Sequence, residues 1–331
     1  MRQYPIYTVT PKAEKSLRNG HPWVFGEEIT EMTAPAADGE LVDVHSQKGA
    51  YLGTGWVNAQ SKIRVRIISN NTNDKFDMHF FARRIKYAFE YRRHVMGSDF
   101  KACRLIFGES DQFPGLVVDR FENVLVAQVM SVGIECRKDM IFGLILKTLR
   151  DMGETIDVFY ERGDVATRQL EGLPQFKGFY HAEGLKTATD GHVEIMENGI
   201  RFDVNYIEGQ KTGYFLDQKY NRRAVMELSR GRRVLDCFTH TGAAKGGASH
   251  VTAVDISQLA IDQARANAER NRIQNMDFVC ANVFELLTER YEKKDRSDDF
   301  IILDPPAFTK SRSTIQNALK GYKEINLRAL K

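Results

Sequence analysis

VLDCFTHTG (Val234–Gly242), VTAVDIS (Val251–Ser257) and IILDPPAF (Ile301–Phe308) decide the fold. Each holds an apolar run that meets an aspartate: Asp236, Asp255 and Asp304. Apolar runs of strand length that alternate with helical stretches read as a parallel α/β sheet. In such sheets ligands bind beyond the carboxyl ends of the strands, so the three acids are expected at one edge. VLDCFTHTG has a single glycine, Gly242. That excludes the G-x-G-x-x-G dinucleotide fingerprint, and no G-K-[ST] follows to make a phosphate loop. An ionised carboxylate ending the second strand can accept from both hydroxyls of a ribose, which suits Asp255. Asp304-Pro305-Pro306 is different: two prolines fix φ and remove two donors. The result is a rigid, carbonyl-presenting turn suited to a flat base. Alone such a tripeptide is an ordinary turn; its two companion acids make it a candidate site.

The order VLDCFTHTG, GGASHVTAVDIS, DFVCANVF, IILDPPAF resembles the class I S-adenosylmethionine-dependent methyltransferases. Three further stretches narrow the resemblance: KAEKSLRNGHPWVFGEEI (Lys12–Ile29), FGESDQFPGLVVDRF (Phe107–Phe121) and ENGIRFDVNYIEGQKTGYFLDQKYNRR (Glu197–Arg223). Together they are similar to the bacterial large-subunit rRNA methyltransferases that carry an N-terminal PUA domain and methylate carbon 5 of a cytosine. The resemblance covers nearly the whole chain. It implies an α/β protein: a β-rich PUA-like RNA-binding barrel over residues 1–70, a small α+β middle domain over 74–182, and a Rossmann-like class I methyltransferase sheet over 190–331. It implies S-adenosyl-L-methionine as cofactor and large-subunit ribosomal RNA as partner. Asp236, Cys237, Phe238, Thr239, Thr241 and Gly242 would line the methionine part of the cofactor. Asp255 with Ile256 would hold the ribose, and Asn282 with Val283 would meet the adenine. Most relatives carry Asp where this chain has Asn282; an amide can still accept, and it also donates. Asp304, which also borders the cofactor, would frame the target base with Pro305, Pro306 and Phe308. Gln210–Asp217 would cover the cofactor or the RNA entrance, or else form a hairpin packed on the sheet.

Two features depart from that pattern. Only 12 residues run from Thr239 to His250, counting both. The loop and the Gly246-Gly247 turn take about half, which leaves roughly one helical turn for a parallel crossover. The expectation is that a mobile segment is absent from the chain near Gly242–Lys245. The second departure is the nucleophile. Methylating carbon 5 of a pyrimidine requires attack at carbon 6, normally by a Cys thiolate. The four cysteines are Cys103, Cys136, Cys237 and Cys280, and none neighbours Asp304-Pro305-Pro306. Cys237 and Cys280 read as small core residues. In the family the reactive Cys follows a later strand. The chain stops at Lys331 within an amphipathic helical pattern (Ile315, Leu319, Tyr322, Ile325, Leu330), so the catalytic Cys is expected beyond Lys331, with the C-terminal part of the methyltransferase domain missing.

Hydrophobic content of 42% and charged content of 27% describe an ordinary globular chain, here of 331 residues and therefore of two or three domains. A net charge of +3 is too mild to announce nucleic-acid binding, so any electrostatic footprint must be local. No apolar run reaches membrane-span length, the N-terminus lacks a signal-peptide core, and the cysteines lack zinc or disulfide spacing. No metal, no membrane and a reducing cytoplasm are the expectation; a homodimer is compatible with the sequence.

VDVHS, YLGTGWV and KIRVRIIS are strand-like runs before a polar boundary at Ser69–Asp74. Lys62, Arg64 and Arg66 alternate with Ile63, Val65 and Ile67, which places the cations on one strand face. Lys15, Arg18 and Trp23 add cations beside aromatics, the mixture that suits phosphates and bases. Trp23 equally suits a barrel core; the PUA resemblance assigns Lys15, Arg18, Trp23 and Arg66 to RNA. Phe76–Met96 then reads as a helix with Phe80, Phe81, Ile85, Ala88 and Phe89 on one face and Arg83, Arg84, Lys86, Arg92 and Arg93 as the most basic local cluster. Glu109 and Asp111 before Pro114-Gly115 read as a structured turn rather than a metal site. Asp119-Arg120 and Glu161-Arg162 could pair with each other or reach RNA. Ser257 is the expected N-cap of a helix with Ile261, Ala264 and Ala268 inward and Asn267 and Asn271 toward solvent or loops.

Three functions compete: methyl transfer to cytosine carbon 5, transfer to another base atom such as an exocyclic amine, and a non-catalytic RNA-binding assembly factor with a vestigial methyltransferase fold. Amine transfer usually comes with an aromatic directly after the prolines, where this chain has Ala307 and then Phe308.

Overall fold

Short β-branched and aromatic runs between turn glycines build a six-stranded sheet at the start of the chain. The structure is a computed structural model that describes residues 4–239, 247–309 and 312–331. Its first elements are β1 (Ile6–Val9), α1 (Pro11–Arg18), β2 (Trp23–Phe25), β3 (Ile29–Met32), β4 (Leu41–Ser46), β5 (Tyr51–Val57) and β6 (Ile63–Ser69). The strand order is β2-β6-β5-β4-β1-β3, with β1 and β4 parallel. Thr10 caps α1 by accepting the Ala13 N–H at 3.3 Å, and Pro11 opens the helix where its missing N–H costs nothing. Tyr7, Val9, Val24, Val42, Val44, Val57 and Val65 fill the core.

The alternation in β6 does not give a solvated cationic face. Val65 to Ser69 are all buried, and the Arg66 guanidinium lies inside, 2.7 Å from Glu171 and 3.4 Å from Glu109. Period two marks two faces of a strand but not which of them faces water; here later parts of the chain cover the second face.

Next come α2 (Met78–Met96), β7 (Ala102–Phe107), β8 (Leu116–Phe121), β9 (Val124–Val129), α3 (Val132–Glu135), α4 (Lys138–Asp151), β10 (Val158–Gly163), α5 (Thr167–Leu170) and β11 (Phe176–Phe179). The sheet runs β11-β10-β9-β8-β7. Asp77 caps α2 through the Phe80 N–H at 3.0 Å. Its apolar stripe and that of α4 bury Phe80, Phe81, Ile85, Phe89, Phe142 and Ile145 with Phe113 and Phe159. The acids of this region are structural. Asp111 grips Arg92 with both oxygens at 2.5 and 2.6 Å and accepts the Phe107 N–H at 2.6 Å. Asp119 holds Arg104 at 2.7 Å, Arg120 meets Glu154 at 2.7 Å, Glu161 meets Lys138 at 3.1 Å and Arg162 meets Asp164 at 2.9 Å. None of Asp119, Arg120, Glu161 and Arg162 pairs with another of the four, and all are buried, so they are not offered to RNA.

The chain folds into two compact units: Met1–Ile195 with Val204–Leu216, and Met196–Asp203 with Asp217–Lys331. The division passes through the hairpin of β12 (His192–Glu197) and β13 (Ile200–Asn205). The second unit holds α6 (Lys219–Leu228), β14 (Arg233–Cys237), β15 (His250–Asp255), α7 (Gln258–Arg270), β16 (Met276–Cys280), α8 (Val283–Glu292), β17 (Phe300–Leu303) and α9 (Ile315–Leu330). Its four strands are all parallel, in the order β16-β15-β14-β17. Ser257 caps α7 through the Ala260 N–H at 3.3 Å. Asn267 and Asn271 do not face solvent loops. They accept the N–H groups of Asp203 and Arg201 at 3.0 and 2.9 Å and pin β13 to α7. The segment expected to be missing near Gly242–Lys245 lies outside the described residues.

Candidate cofactor and active site

Chain order reverses at β14, which has β15 on one side and β17 on the other. This is the topological switch point at which open parallel sheets bind ligands. The register sets the levels. Cys237 lies beside Val254 and Leu303, so one residue further Phe238 stands level with Asp255 and Asp304. Asp236 sits two residues behind that rim and is buried. Burial, reinforced by the charges of Asp304 and Asp255 and opposed by a hydrogen bond from Thr239, pushes the Asp236 carboxyl up to about 7. The three acids therefore converge on one edge, with one beneath two.

The turn that closes β14 is strained. Phe238 has φ +65°, a left-handed value that costs a bulky L residue about 1–3 kcal/mol. Thr239 holds it: its N–H donates to the Val254 carbonyl at 2.9 Å and its hydroxyl to the Asp236 carbonyl at 3.0 Å. Phe238 thereby packs on the core of Leu235, Cys237, Val254 and Val283. Cys237 is fully buried, and burial pushes its thiol up to about 12. Such a thiol is a packing group, not a nucleophile. Thr241 and Gly242 lie outside the described residues.

At the end of β15 the Asp255 carboxylate accepts the Ser257 N–H at 2.8 Å, which fixes its orientation. Between them Ile256 is 71% exposed, a large apolar side chain left on the rim. Asn282 caps α8, its side-chain oxygen accepting the Phe284 N–H at 2.9 Å, while Val283 is buried. Cys280 is exposed at the end of β16 rather than in the core. It lies three strands from β17, on the order of 14 Å at about 4.8 Å per strand, out of reach of a base held at Asp304.

Asp304 and Pro306 are exposed and Pro305 is half-buried. Phe308 packs onto α9: its ring centroid is 4.5 Å from that of Tyr322 and 6.0 Å from that of Phe284, and its N–H donates to the Tyr322 hydroxyl at 3.3 Å. Phe308 thus anchors the turn. A fixed, half-buried carboxylate beside an exposed apolar side chain, with a rigid proline turn two strands away, fits a nucleoside-bearing cofactor and a flat second ligand.

The first unit carries the other candidates. Lys15 and Arg18 are exposed on α1, Arg18 pairing with Glu14 at 2.8 Å. Trp23 is half-buried, and its indole N–H donates to Glu109 at 2.8 Å. Arg66 is turned inward as described above. Within Gln210–Asp217, Thr212 donates to Asp119 at 2.6 Å, and the Gly209 carbonyl just before it accepts from Arg162 at 2.8 Å. The sequence signals named Phe238 but not its strain, and did not show that the Cys280 thiol is exposed.

Residues 8–70 match the PUA-like domain family, and residues 170–330 match the S-adenosylmethionine-dependent methyltransferase family. The chain is 40% identical to the "Ribosomal RNA large subunit methyltransferase I" of Aeromonas salmonicida over 98% of its length, covering 81% of that protein. The protein of the same name from Photobacterium profundum gives the same identity and coverages. The chain belongs to this methyltransferase family. It is an S-adenosylmethionine-dependent enzyme with an N-terminal PUA-like domain. A solved methyltransferase from Streptococcus mutans shares the family fold at TM-score 0.75 and 23% identity, covering 95% of this chain and 82% of that one. Another, solved with SAH, does so at TM-score 0.77 and 22% identity, covering 97% and 82%. Among the described residues no helix is long and apolar enough to cross a membrane.

Proposed function

We propose that this methyltransferase transfers the methyl group of S-adenosylmethionine to carbon 5 of a cytosine in large-subunit ribosomal RNA. The observation that carries the reading is the shared level of Asp255 and Asp304 on either side of the β14 turn. It sets two carboxylates at one edge, and we assign the first to the cofactor and the second, with its proline turn, to the base. At the first, Asp255 accepts the ribose hydroxyls, Ile256 covers the adenine face, and the Asn282 amide meets the ring edge. When bound, S-adenosylmethionine supplies an electrophilic methyl group on a sulfonium. Asp236, Phe238 and Thr239 shape the floor beneath it, and Cys237 and Val283 support that floor from the core.

At the second station Asp304 orients the cytosine through its exocyclic amine or ring nitrogen, and Pro305 and Pro306 hold the turn rigid. A thiolate adds to carbon 6 and makes carbon 5 nucleophilic. Carbon 5 takes the methyl, a base removes the carbon 5 proton, and the thiolate is expelled. Cys237 is too buried and Cys280 too far along the sheet edge, so neither is assigned that role. Transfer to an exocyclic amine is the weaker reading, because Ala307 follows the prolines and Phe308 is spent on Tyr322. Lys15, Arg18 and Trp23 are proposed to bring the RNA to the enzyme; the buried Arg66 supports them only indirectly. The test is Asp304→Ala: turnover falls at least a hundredfold while cofactor affinity changes less than threefold. Equal losses in both would remove Asp304 from the base.

A further inference from the structure

Helix α2 buries one face and leaves a second face with an unusual composition. Tyr87 is 60% and Tyr91 61% exposed, one helical turn apart, with Val95 (51%) one turn further. Phe107, at the end of β7, is 51% exposed. Isolated exposed apolar residues are normal, but a run of aromatics along one face marks an interaction surface. The exposed side of the helix also carries Arg83 and Lys86 with Glu90, and further round it Arg93, which donates to the Met152 carbonyl at 3.3 Å. Lys86 is 3.7 Å from Glu90 and Arg83 is 3.3 Å from Asp74; such exposed pairs are worth little and give way to a stronger anion.

Tyr91 and Phe107 are held in place. The Arg92 guanidinium lies 5.4 Å from the Tyr91 ring centroid and that of Arg104 lies 5.1 Å from Phe107. Asp111 clamps Arg92 and Asp119 clamps Arg104. Asp111 also accepts the Phe107 N–H, so one carboxylate ties the end of β7 to α2. The result is a pre-ordered surface of rings and cations.

We infer that the outer face of α2, with Phe107, is an RNA-binding surface separate from both the PUA-like barrel and the methyltransferase sheet, taking unpaired nucleotides. Bases stack on Tyr87 and Tyr91, and phosphates meet Lys86, Arg83 and Arg93. Charge complementarity selects RNA over a protein partner: the buried centre of a protein interface is depleted of charge, whereas single-stranded RNA sites interleave aromatics with cations. The inference rests on the proposal that the substrate is RNA.

The experiment compares wild type, Tyr87→Ala/Tyr91→Ala, Tyr87→Phe/Tyr91→Phe and Lys86→Ala for binding and methylation of unmodified large-subunit rRNA. The double alanine variant is expected to weaken RNA binding and raise the RNA KM about tenfold or more, with cofactor affinity and kcat at saturating RNA unchanged. The phenylalanine pair keeps the rings and restores binding. Lys86→Ala lowers the slope of log affinity against log salt by about 0.7. RNA affinity in the double alanine variant equal to that of wild type overturns the inference. If that equality comes with loss of a wild-type dimer in sedimentation velocity, the face belongs to a second copy of the chain. A wild type that binds no rRNA would instead sink the reading of the substrate.

Discussion

Asp255 and Asp236 share an edge but have opposite physical roles. Asp255 is solvent-reachable, and its backbone-fixed carboxylate is proposed to take the ribose diol through charge-assisted hydrogen bonds worth about 1.5–3 kcal/mol each. Asp255→Ala is therefore expected to raise the cofactor Kd ten- to a hundredfold by calorimetry; an unchanged Kd would take Asp255 out of the ribose role. Asp236 is buried and raised to about 7 from its ordinary 3.8. A carboxyl raised on folding binds a proton between those two values. Its contribution to stability is full below about pH 4 and is lost as pH climbs through about 7. The melting temperature of the cofactor-free enzyme should fall across that window more steeply than that of Asp236→Asn; parallel slopes would contradict it. Both acids were legible in the sequence, because a strand-ending aspartate has a known place. Their depth was not: only the register shows that Asp236 lies two residues behind the rim. Cys280 was misread for a related reason, since an apolar neighbourhood in sequence does not reveal that the strand end is open.

At the scale of elements, helices were read well and strand faces less so. The stripe Phe80, Phe81, Ile85, Ala88, Phe89 gave the inner face of α2, and Ser257 gave the start of α7, because periodicity and capping are local. The outer faces depend on partners far away in sequence. Arg66 has the spacing of a surface cation, yet Glu171, 105 residues later, draws it inside. Asn267 and Asn271 likewise answer to β13. Close packing of elements shows most clearly at Gly133 in α3, where a Cβ would lie 2.1 Å from the ring of Trp56. That ring is 1% exposed and cannot move aside. Gly133→Ala should destabilise the protein by about 1–3 kcal/mol in denaturant unfolding. A stability equal to wild type would mean that α3 can withdraw from the barrel.

At the scale of the molecule, the first unit joins the barrel to the five-stranded sheet through a buried polar cluster. Glu171 meets Arg66 at 2.7 Å and Asn58 at 3.0 Å, and Glu109 takes Arg66 and Trp23. Removing one partner of a buried ion pair strands the other, at a cost of about 3–5 kcal/mol. Glu171→Ala should therefore lower the melting temperature markedly while leaving cofactor affinity intact; a melt like that of wild type would show that water replaces the carboxylate. The α/β class followed from motif order. The joining of barrel and middle domain into one unit did not, because Asn58, Arg66, Glu109 and Glu171 carry no joint pattern in the sequence.

The central claim concerns chemistry at the edge of the parallel sheet, and nucleoside analysis tests it directly. The enzyme is incubated with labelled S-adenosylmethionine and unmodified large-subunit rRNA, and the RNA is digested for mass spectrometry. The account predicts label in 5-methylcytidine. Label confined to a different nucleoside would contradict the carbon 5 mechanism and the role given to Asp304.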